Sequence, residues 1–167
     1  MPIKSIVTKK GDNGTTQLPS GELVKKSDDR IEILGLIDKS MSLLGLARSL
    51  CRHSETKLDI KDIQSDLLSF GSKFISRDED KDMMEKALNN VDGFVSTYES
   101  EVDLPKCFII PGEEVSSSSI DVARVVIREL ERKVVKLNDS KNLKKDITLK
   151  YLNRLSDALF LMARFEE

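Results

Sequence analysis

Three ionised side chains share one face of a helix that the sequence predicts over 116–138. Arg124, Arg128 and Glu131 follow one another at spacings of four and three residues, so they form one stripe. An apolar stripe beside them must pack against other elements, and it consists of Ile120, Ala123, Ile127, Leu130 and Val134. Arginines at its margin lose hydration, which is costly unless carboxylates or an anion meet them. Two guanidinium groups one turn apart favour phosphate as that anion, because each offers a planar fork of donors.

A second candidate for phosphate binding is the segment TKKGDNGTT at 8–16. Its glycines allow backbone N–H groups to turn toward a phosphate, and its Thr and Lys side chains supply further donors. The spacing is not that of a Walker A loop. An ordinary turn is the competing interpretation, since Asp-Asn-Gly is also common in hairpins, and this segment alone favours the turn.

Polar residues also border the apolar stripes of two other predicted helices. Asp38 follows Ile37 on the first helix and needs either a cationic partner or exposure beside Lys39; the residues alone favour exposure. Asn153 and Asp157 are four apart on the last helix and share a face. They form either a polar network that orients the arginines or a ligand's ribose, or a solvated surface, and the sequence does not separate these.

Phe108 lies in the apolar segment CFIIPG, directly before a proline-glycine break. An aromatic residue in such a position usually belongs to the core. In a loop at a subunit boundary it can instead form the wall of a ligand pocket. The residues alone favour the core.

The composition predicts one globular domain over 1–167. The chain has 39% apolar and 34% charged residues and a net charge of −2, which does not indicate a nucleic-acid binder. Cys51, Cys107 and the single His53 form neither a disulfide framework nor a metal site, so we expect reduced thiols in a cytoplasmic protein. No apolar run is long enough to span a membrane, and the first residues do not resemble a signal peptide.

Long stretches without proline or glycine predict an all-α bundle of about five helices with short connections. Residues 1–27 are expected to be irregular or briefly extended. Ser116 to Ser119 are predicted N-caps of the fourth helix, residues 138–146 a loop, and Leu58 part of the inward face of the second helix. The helices themselves are predicted over 28–53, 57–76, 80–100, 116–138 and 147–165.

These segments, in this order, resemble the PduO-type ATP:cob(I)alamin adenosyltransferases. The matching stretches span nearly the whole chain and read TKKGDNGTT, DDRIEILGLIDKSMSLLGLAR, FIIPG, ARVVIRELERKVV and YLNRLSDALFLMAR. The resemblance implies a homotrimer of five-helix bundles of the cobalamin adenosyltransferase type, with active sites between neighbouring subunits. It also implies the reaction. The 5′-deoxyadenosyl group of ATP moves to the cobalt of cobalamin and triphosphate leaves, with Mg²⁺ on the phosphates and no protein ligand assigned to it.

The resemblance also implies roles for individual residues. Arg128 would contact ATP, while Arg124 would form a salt bridge with Asp38 across the subunit boundary. Phe108 would crowd the lower face of the corrin and ease the reduction to Co(I). The remaining ATP-site and supporting residues would be Thr8, Lys9, Gly11, Asp12, Gly14, Thr15, Thr16, Lys26, Glu131, Asn153 and Asp157.

Some positions depart from the family pattern. Glu129 stands where a second arginine is common, and Lys39 stands where an acidic residue is common. Asp29 replaces a frequent proline and Glu113 a frequent glycine.

Expected partners are ATP and a corrinoid, with a cob(II)alamin reductase upstream of the reaction and an adenosylcobalamin-dependent enzyme downstream of it. The alternatives are a non-catalytic carrier of adenosylcobalamin or ATP, and a purely structural trimer.

Overall fold

The structure is a computed structural model that describes residues 7, 9–18, 20–74, 79–141 and 145–167. It confirms the predicted bundle of five helices, preceded by a small antiparallel hairpin. The elements are β1 (Thr15–Gln17), β2 (Leu23–Lys25), α1 (Asp29–Leu50), α2 (Ser54–Phe74), α3 (Lys81–Glu101), α4 (Val115–Lys141) and α5 (Asp146–Phe165). The hairpin is the brief extended structure expected within residues 1–27.

Carboxylates cap the start of three helices. Asp28 accepts a hydrogen bond from the backbone N–H of Arg30 at the start of α1, and Asp80 does the same for Met83 in α3. The start of α5 is capped from another segment, because the Glu79 carboxylate accepts the backbone N–H groups of residues 147 and 148, at 3.3 and 2.7 Å. Negative charge at these ends also complements the helix dipole.

The core lies where α4 packs between α1 and α5, with α3 against α5 and α2 against α1. The predicted apolar stripe of α4 is fully buried, as are Leu152, Leu155, Leu159 and Met162 of α5. The prediction for Leu58 was wrong, since this residue is 63% exposed. The buried side chains of α2 follow the helical spacing of Ile60 and Ile63. Leu58 does not fit this spacing, so it lies on the outer side of the helix.

Two predictions about α4 were also wrong. The serines at 116–119 do not precede the helix but lie inside it, where their hydroxyls donate to carbonyl oxygens of the same turn or, for Ser116, to that of Glu166. The helix also continues to Lys141, beyond the predicted start of the loop. Residues 142–144 of that loop lie outside the described residues, and Asp146, its last residue, already belongs to α5.

None of the helices within the described ranges is long and apolar enough to cross a membrane.

Candidate functional site

The margin of α4 that carries the predicted stripe faces α5. The Nη1 atom of Arg128 lies 3.4 Å from the Ser156 hydroxyl oxygen, to which it donates a hydrogen bond. The guanidinium of Arg124 lies 5.8 Å from the centre of the Phe160 ring. Moving four residues back along α4 thus corresponds to moving four residues forward along α5, as in an antiparallel pair. We call the surface along this margin, where α4 meets α5, the α4–α5 groove.

The same register brings Glu131 and Asn153 to one level of the α4–α5 groove, because they lie three residues from Arg128 and Ser156 in opposite directions. Arg128 and Asn153 are exposed, whereas Glu131 is half-buried. The structure therefore brings Asn153 of α5 to the level of Arg128 and Glu131, which the sequence had already placed together on one helix.

Asp157 lies on the exposed margin of α5, where its contact with Arg154 is long. The carboxylate is 4.0 Å from the Arg154 Nε atom, and Arg154 also reaches Asp92 at 3.2 Å. These pairs are half-exposed, so each contributes little to stability. Asp157 is thus part of a surface charge network at the edge of the groove.

A buried ion triad that sequence reasoning missed supports Arg124. Asp121 accepts from the Arg124 Nε atom at 2.8 Å and from the Arg164 Nη2 atom at 2.6 Å. The side chains of Asp121 and Arg164 are only 6% and 3% exposed. Arg164 also lies over the Phe160 ring at 5.3 Å. The one signal in the sequence was Asp121 three residues before Arg124, and nothing in the sequence indicated Arg164 as the second partner of Asp121.

Asp38 is exposed, as the residues alone favoured, and it has no ion pair with another described side chain of the same chain. Arg124 turns to Asp121 instead, so the predicted bridge to Asp38 is not formed within one chain. A bridge between subunits remains a prediction, because Asp38 lies free at the surface of α1.

The opposite margin of α4 is bound to α1 by two ion pairs. Lys39 lies 3.3 Å from Glu129, and Lys133 lies 2.6 Å from Glu32. Lys39 and Glu129 are two of the four departures from the family pattern, and they neutralise each other. Glu129 therefore points to α1 and does not face the α4–α5 groove.

The predicted glycine loop is a tight turn next to the hairpin. The Asn13 side chain accepts hydrogen bonds from the backbone N–H and the hydroxyl of Thr15, at 3.2 and 2.6 Å. Gly14 has a φ of 78°, which glycine adopts without strain. Lys9 has a φ of 58°, an uncommon conformation for a residue with a side chain. Such strain is often found at binding sites.

Lys26 closes this loop. Its backbone N–H donates to the Gly14 carbonyl oxygen at 2.9 Å, and a Cβ atom at Gly11 would lie 3.1 Å from its Nζ atom. The ammonium group is therefore near the backbone of Gly11, with Asp12 exposed in the same turn and Thr16 following in β1. Thr8 lies outside the described residues.

Among the described residues, no hydrogen bond or ion pair joins this loop to Arg128. The two predicted halves of the phosphate site are thus separate contact networks within one chain.

Phe108 was predicted from the residues alone to be a core residue, and this was wrong. The side chain is 103% exposed, and Ile110 in the same segment is 84% exposed. The segment between α3 and α4 has no helix that could pack it onto the bundle. An unshielded aromatic ring favours contact with a ligand or another chain.

No group of three His, Cys, Asp or Glu side chains in the described part of the chain is placed to hold a metal ion.

Comparison with known proteins identifies the class. A family model described as cobalamin adenosyltransferase matches residues 6–166. A corrinoid adenosyltransferase from Citrobacter freundii is 34% identical over 169 residues, covering 97% of this chain and 94% of the relative. The corrinoid adenosyltransferase PduO of the same organism is 28% identical and covers 98% of this chain, which spans 50% of that relative.

A solved structure gives the same result. A variant PduO-type ATP:corrinoid adenosyltransferase from Lactobacillus reuteri, complexed with cobalamin and ATP, superposes with a TM-score of 0.84 at 29% identity. The match covers 96% of this chain and 92% of that one. Fold and sequence together define an all-α transferase. The chain belongs to the cobalamin adenosyltransferase family.

Proposed function

We propose that the protein transfers the 5′-deoxyadenosyl group of ATP to the cobalt of cob(I)alamin, giving adenosylcobalamin and triphosphate. The observation that carries this proposal is the exposed guanidinium of Arg128. It is held in the α4–α5 groove by one weak 3.4 Å hydrogen bond, level with Ser156 and one turn from Glu131 and Asn153. Most of its donors are thus available to an anionic ligand.

In the reaction, Co(I) supplies an electron pair to C5′ of ATP, the cobalt–carbon bond forms, and the C5′–O bond breaks. The triphosphate leaves with that bonding pair, so negative charge increases on it in the transition state. Arg128, Lys26 and the backbone N–H groups of the glycine loop would stabilise this charge. Glu131 and Asn153 would position the nucleoside, with Asp157 in support. The protein contributes mainly orientation, because the corrinoid is itself the nucleophile.

Mg²⁺ would be held chiefly by the phosphates and water, as is usual for this ion. No protein ligand is assigned to it.

We also propose that the active sites lie between subunits of a homotrimer. The outer face of α4 exposes Val122 and Val125, each 53% exposed, between the Arg128 margin and the Glu129 margin. An apolar strip of this kind favours association with another copy. Among the described residues of one chain, no hydrogen bond or ion pair joins the glycine loop to Arg128, and this also supports a site that two subunits complete. Free thiols at Cys51 and Cys107 accord with a cytoplasmic protein.

The test of the proposed function is an anaerobic assay with purified protein, ATP, Mg²⁺ and chemically reduced cobalamin, followed by visible absorbance. We expect ATP-dependent loss of the Co(I) band and growth of the adenosylcobalamin spectrum. A folded protein that binds ATP and cobalamin but performs no transfer would instead be a carrier, and one that binds neither would be structural.

Replacing Asp38 by asparagine should weaken the trimer, raising its dissociation constant about tenfold, the effect of losing a charge pair at an interface. Sedimentation velocity measures the dissociation constant of the trimer, and calorimetry measures the affinity for ATP. Asp62→Asn is the matched control, because Asp62 is an exposed carboxylate on the outer face of α2. Unchanged sedimentation and ATP affinity in Asp38→Asn would exclude the bridge between Asp38 and Arg124 of another subunit.

Replacing Phe108 by alanine should slow transfer roughly tenfold when the reaction starts from Co(II), because an aromatic group would no longer crowd the corrin. The loss should be smaller with preformed Co(I). A reductase would supply Co(I) in the cell, and an adenosylcobalamin-dependent enzyme would receive the product. Ile110→Ala controls for removing an exposed apolar side chain from the same segment. Equal losses from Co(II) and Co(I) would contradict this role.

A further inference from the structure

Arg30, in the first turn of α1, makes two bidentate contacts. Its Nε and Nη2 atoms donate to the two carboxylate oxygens of Asp28, both at 2.9 Å. Its Nη1 and Nη2 atoms donate to the two carboxylate oxygens of Glu22, at 3.0 and 3.1 Å. A planar guanidinium can serve two carboxylates in this way, whereas an ammonium group cannot. Arg30 therefore ties the hairpin turn to the start of α1. We call this arrangement of Glu22, Arg30 and Asp28 the Arg30 clamp.

The Asp28 end of this clamp is fixed to the bundle. Its carboxylate caps α1 by accepting the backbone N–H of Arg30 at 2.9 Å. The backbone N–H of Asp28 donates in the other direction, to the carbonyl oxygen of Lys25 at the end of β2, at 3.0 Å. The hydrogen bonds from the Arg30 side chain are the largest cause of the low pKa of Asp28, about 2. The same interaction lowers the pKa of Glu22. Both carboxylates are thus ionised at neutral pH.

The Glu22 end of the clamp belongs to the hairpin that carries the proposed phosphate donors. Glu22 directly precedes β2, and its carbonyl oxygen accepts the backbone N–H of Leu18 at 2.9 Å. Lys26 follows β2 and closes the glycine loop. Strands of three residues are too short to be stable alone. Leu18 and Val24 bury one face of the hairpin, and the Arg30 clamp fixes its turn.

We propose, on the basis of the function proposed above, that Arg30 is a positioning residue for ATP. Through Glu22 it holds the hairpin in the orientation that presents Lys26 and the glycine loop to the triphosphate. Arg30 does not contact the substrate itself. With the clamp broken, only a fraction of molecules has the hairpin in place, and the apparent affinity for ATP falls by that fraction. The corrinoid site is not affected.

Glu22→Gln is the sharpest variant, because it removes the charge at the hairpin and leaves the Asp28 cap intact. The KM for ATP should rise roughly fivefold, as expected for a partly exposed charge-assisted pair. The KM for cobalamin and kcat at saturating ATP should stay within twofold. Arg30→Ala should show a larger rise in the KM for ATP, and Arg30→Lys an intermediate one. Lys133→Ala is the control, because it breaks an ion pair with α1 that does not involve the hairpin.

Hydrogen exchange of the full-length protein without ligand gives a readout that does not need the reaction. The N–H groups of Leu18 and Lys26 should exchange several-fold faster in Glu22→Gln than in the wild type, with the bundle unchanged. Unchanged exchange, or an unchanged KM for ATP in both Glu22→Gln and Arg30→Ala, would overturn the proposal. Failure of the wild type to bind MgATP in calorimetry would instead refute the proposed function, and the exchange result would still decide whether the clamp holds the hairpin.

Discussion

Replacing Arg128 by alanine should abolish adenosyl transfer and leave the bundle folded. The side chain is exposed and makes one 3.4 Å hydrogen bond with Ser156, so its loss should change stability by less than about 0.5 kcal/mol. Its charge faces the proposed site of the leaving triphosphate, where losing one stabilising donor costs about 10²–10³ in rate. Single-turnover kinetics with preformed Co(I) measure this loss directly.

Two further variants define what Arg128 contributes. Arg128→Lys keeps the positive charge but not the planar fork, so it should retain part of the activity. Arg132→Ala removes an exposed arginine one turn further along α4 and should turn over like the wild type. Thermal unfolding of Arg128→Ala, Arg128→Lys and Arg132→Ala checks that each variant is folded. Turnover at the wild-type rate in Arg128→Ala would exclude the role assigned to this residue.

The second large effect is expected in the buried triad. Asp121→Ala leaves Arg164, whose side chain is 3% exposed, without its closest partner, which is 2.6 Å away. Removing one member of a buried ion pair costs about 3–5 kcal/mol of unfolding free energy, because the remaining charge stays buried. Glu167, at 3.1 Å from Arg164, should moderate the loss. Chemical denaturation measures the effect.

A double replacement separates the charge from the packing. Asp121→Ala combined with Arg164→Met removes both charges and should recover most of the lost stability, since no charge is left unpaired. Glu32→Ala breaks a half-exposed pair between α1 and α4 and should cost no more than about 1 kcal/mol. If Asp121→Ala were no more destabilising than Glu32→Ala, the triad would not have the structural role assigned to it.

The helices and their inward faces could be predicted because they depend on local spacing. Every residue of the apolar stripe predicted for α4 is buried, and so are the four residues predicted for α5. A period of 3.6 residues is a property of the helix itself and is visible in one segment. Predictions of burial were wrong where packing against a neighbouring element determines which side chains face inward. Leu58 is apolar at an acceptable helical spacing, but the register of Ile60 and Ile63 against α1 turns it outward.

The candidate site was predicted in part for the same reason. Arg124, Arg128 and Glu131 are grouped by the period of a single helix, and their common stripe needed no tertiary information. The other half of the site is different. Only the antiparallel register of α4 and α5 places Asn153 level with Glu131. The sequence of either helix alone does not specify that register. Within the buried triad, the ion pair of Asp121 and Arg164 joins residues 43 positions apart, which no local pattern reveals.

The sequence by itself thus determined the number of helices, most of their buried residues and the stripe of Arg124, Arg128 and Glu131, because backbone geometry and local periodicity fix them. The family resemblance was also present in the sequence, and the comparisons confirm it. Only the tertiary structure decided which charges meet. It paired Arg164 with Asp121, turned Glu129 to Lys39 and exposed Phe108. Ion pairs and exposure depend on the distances between elements, and these distances arise only when the helices pack.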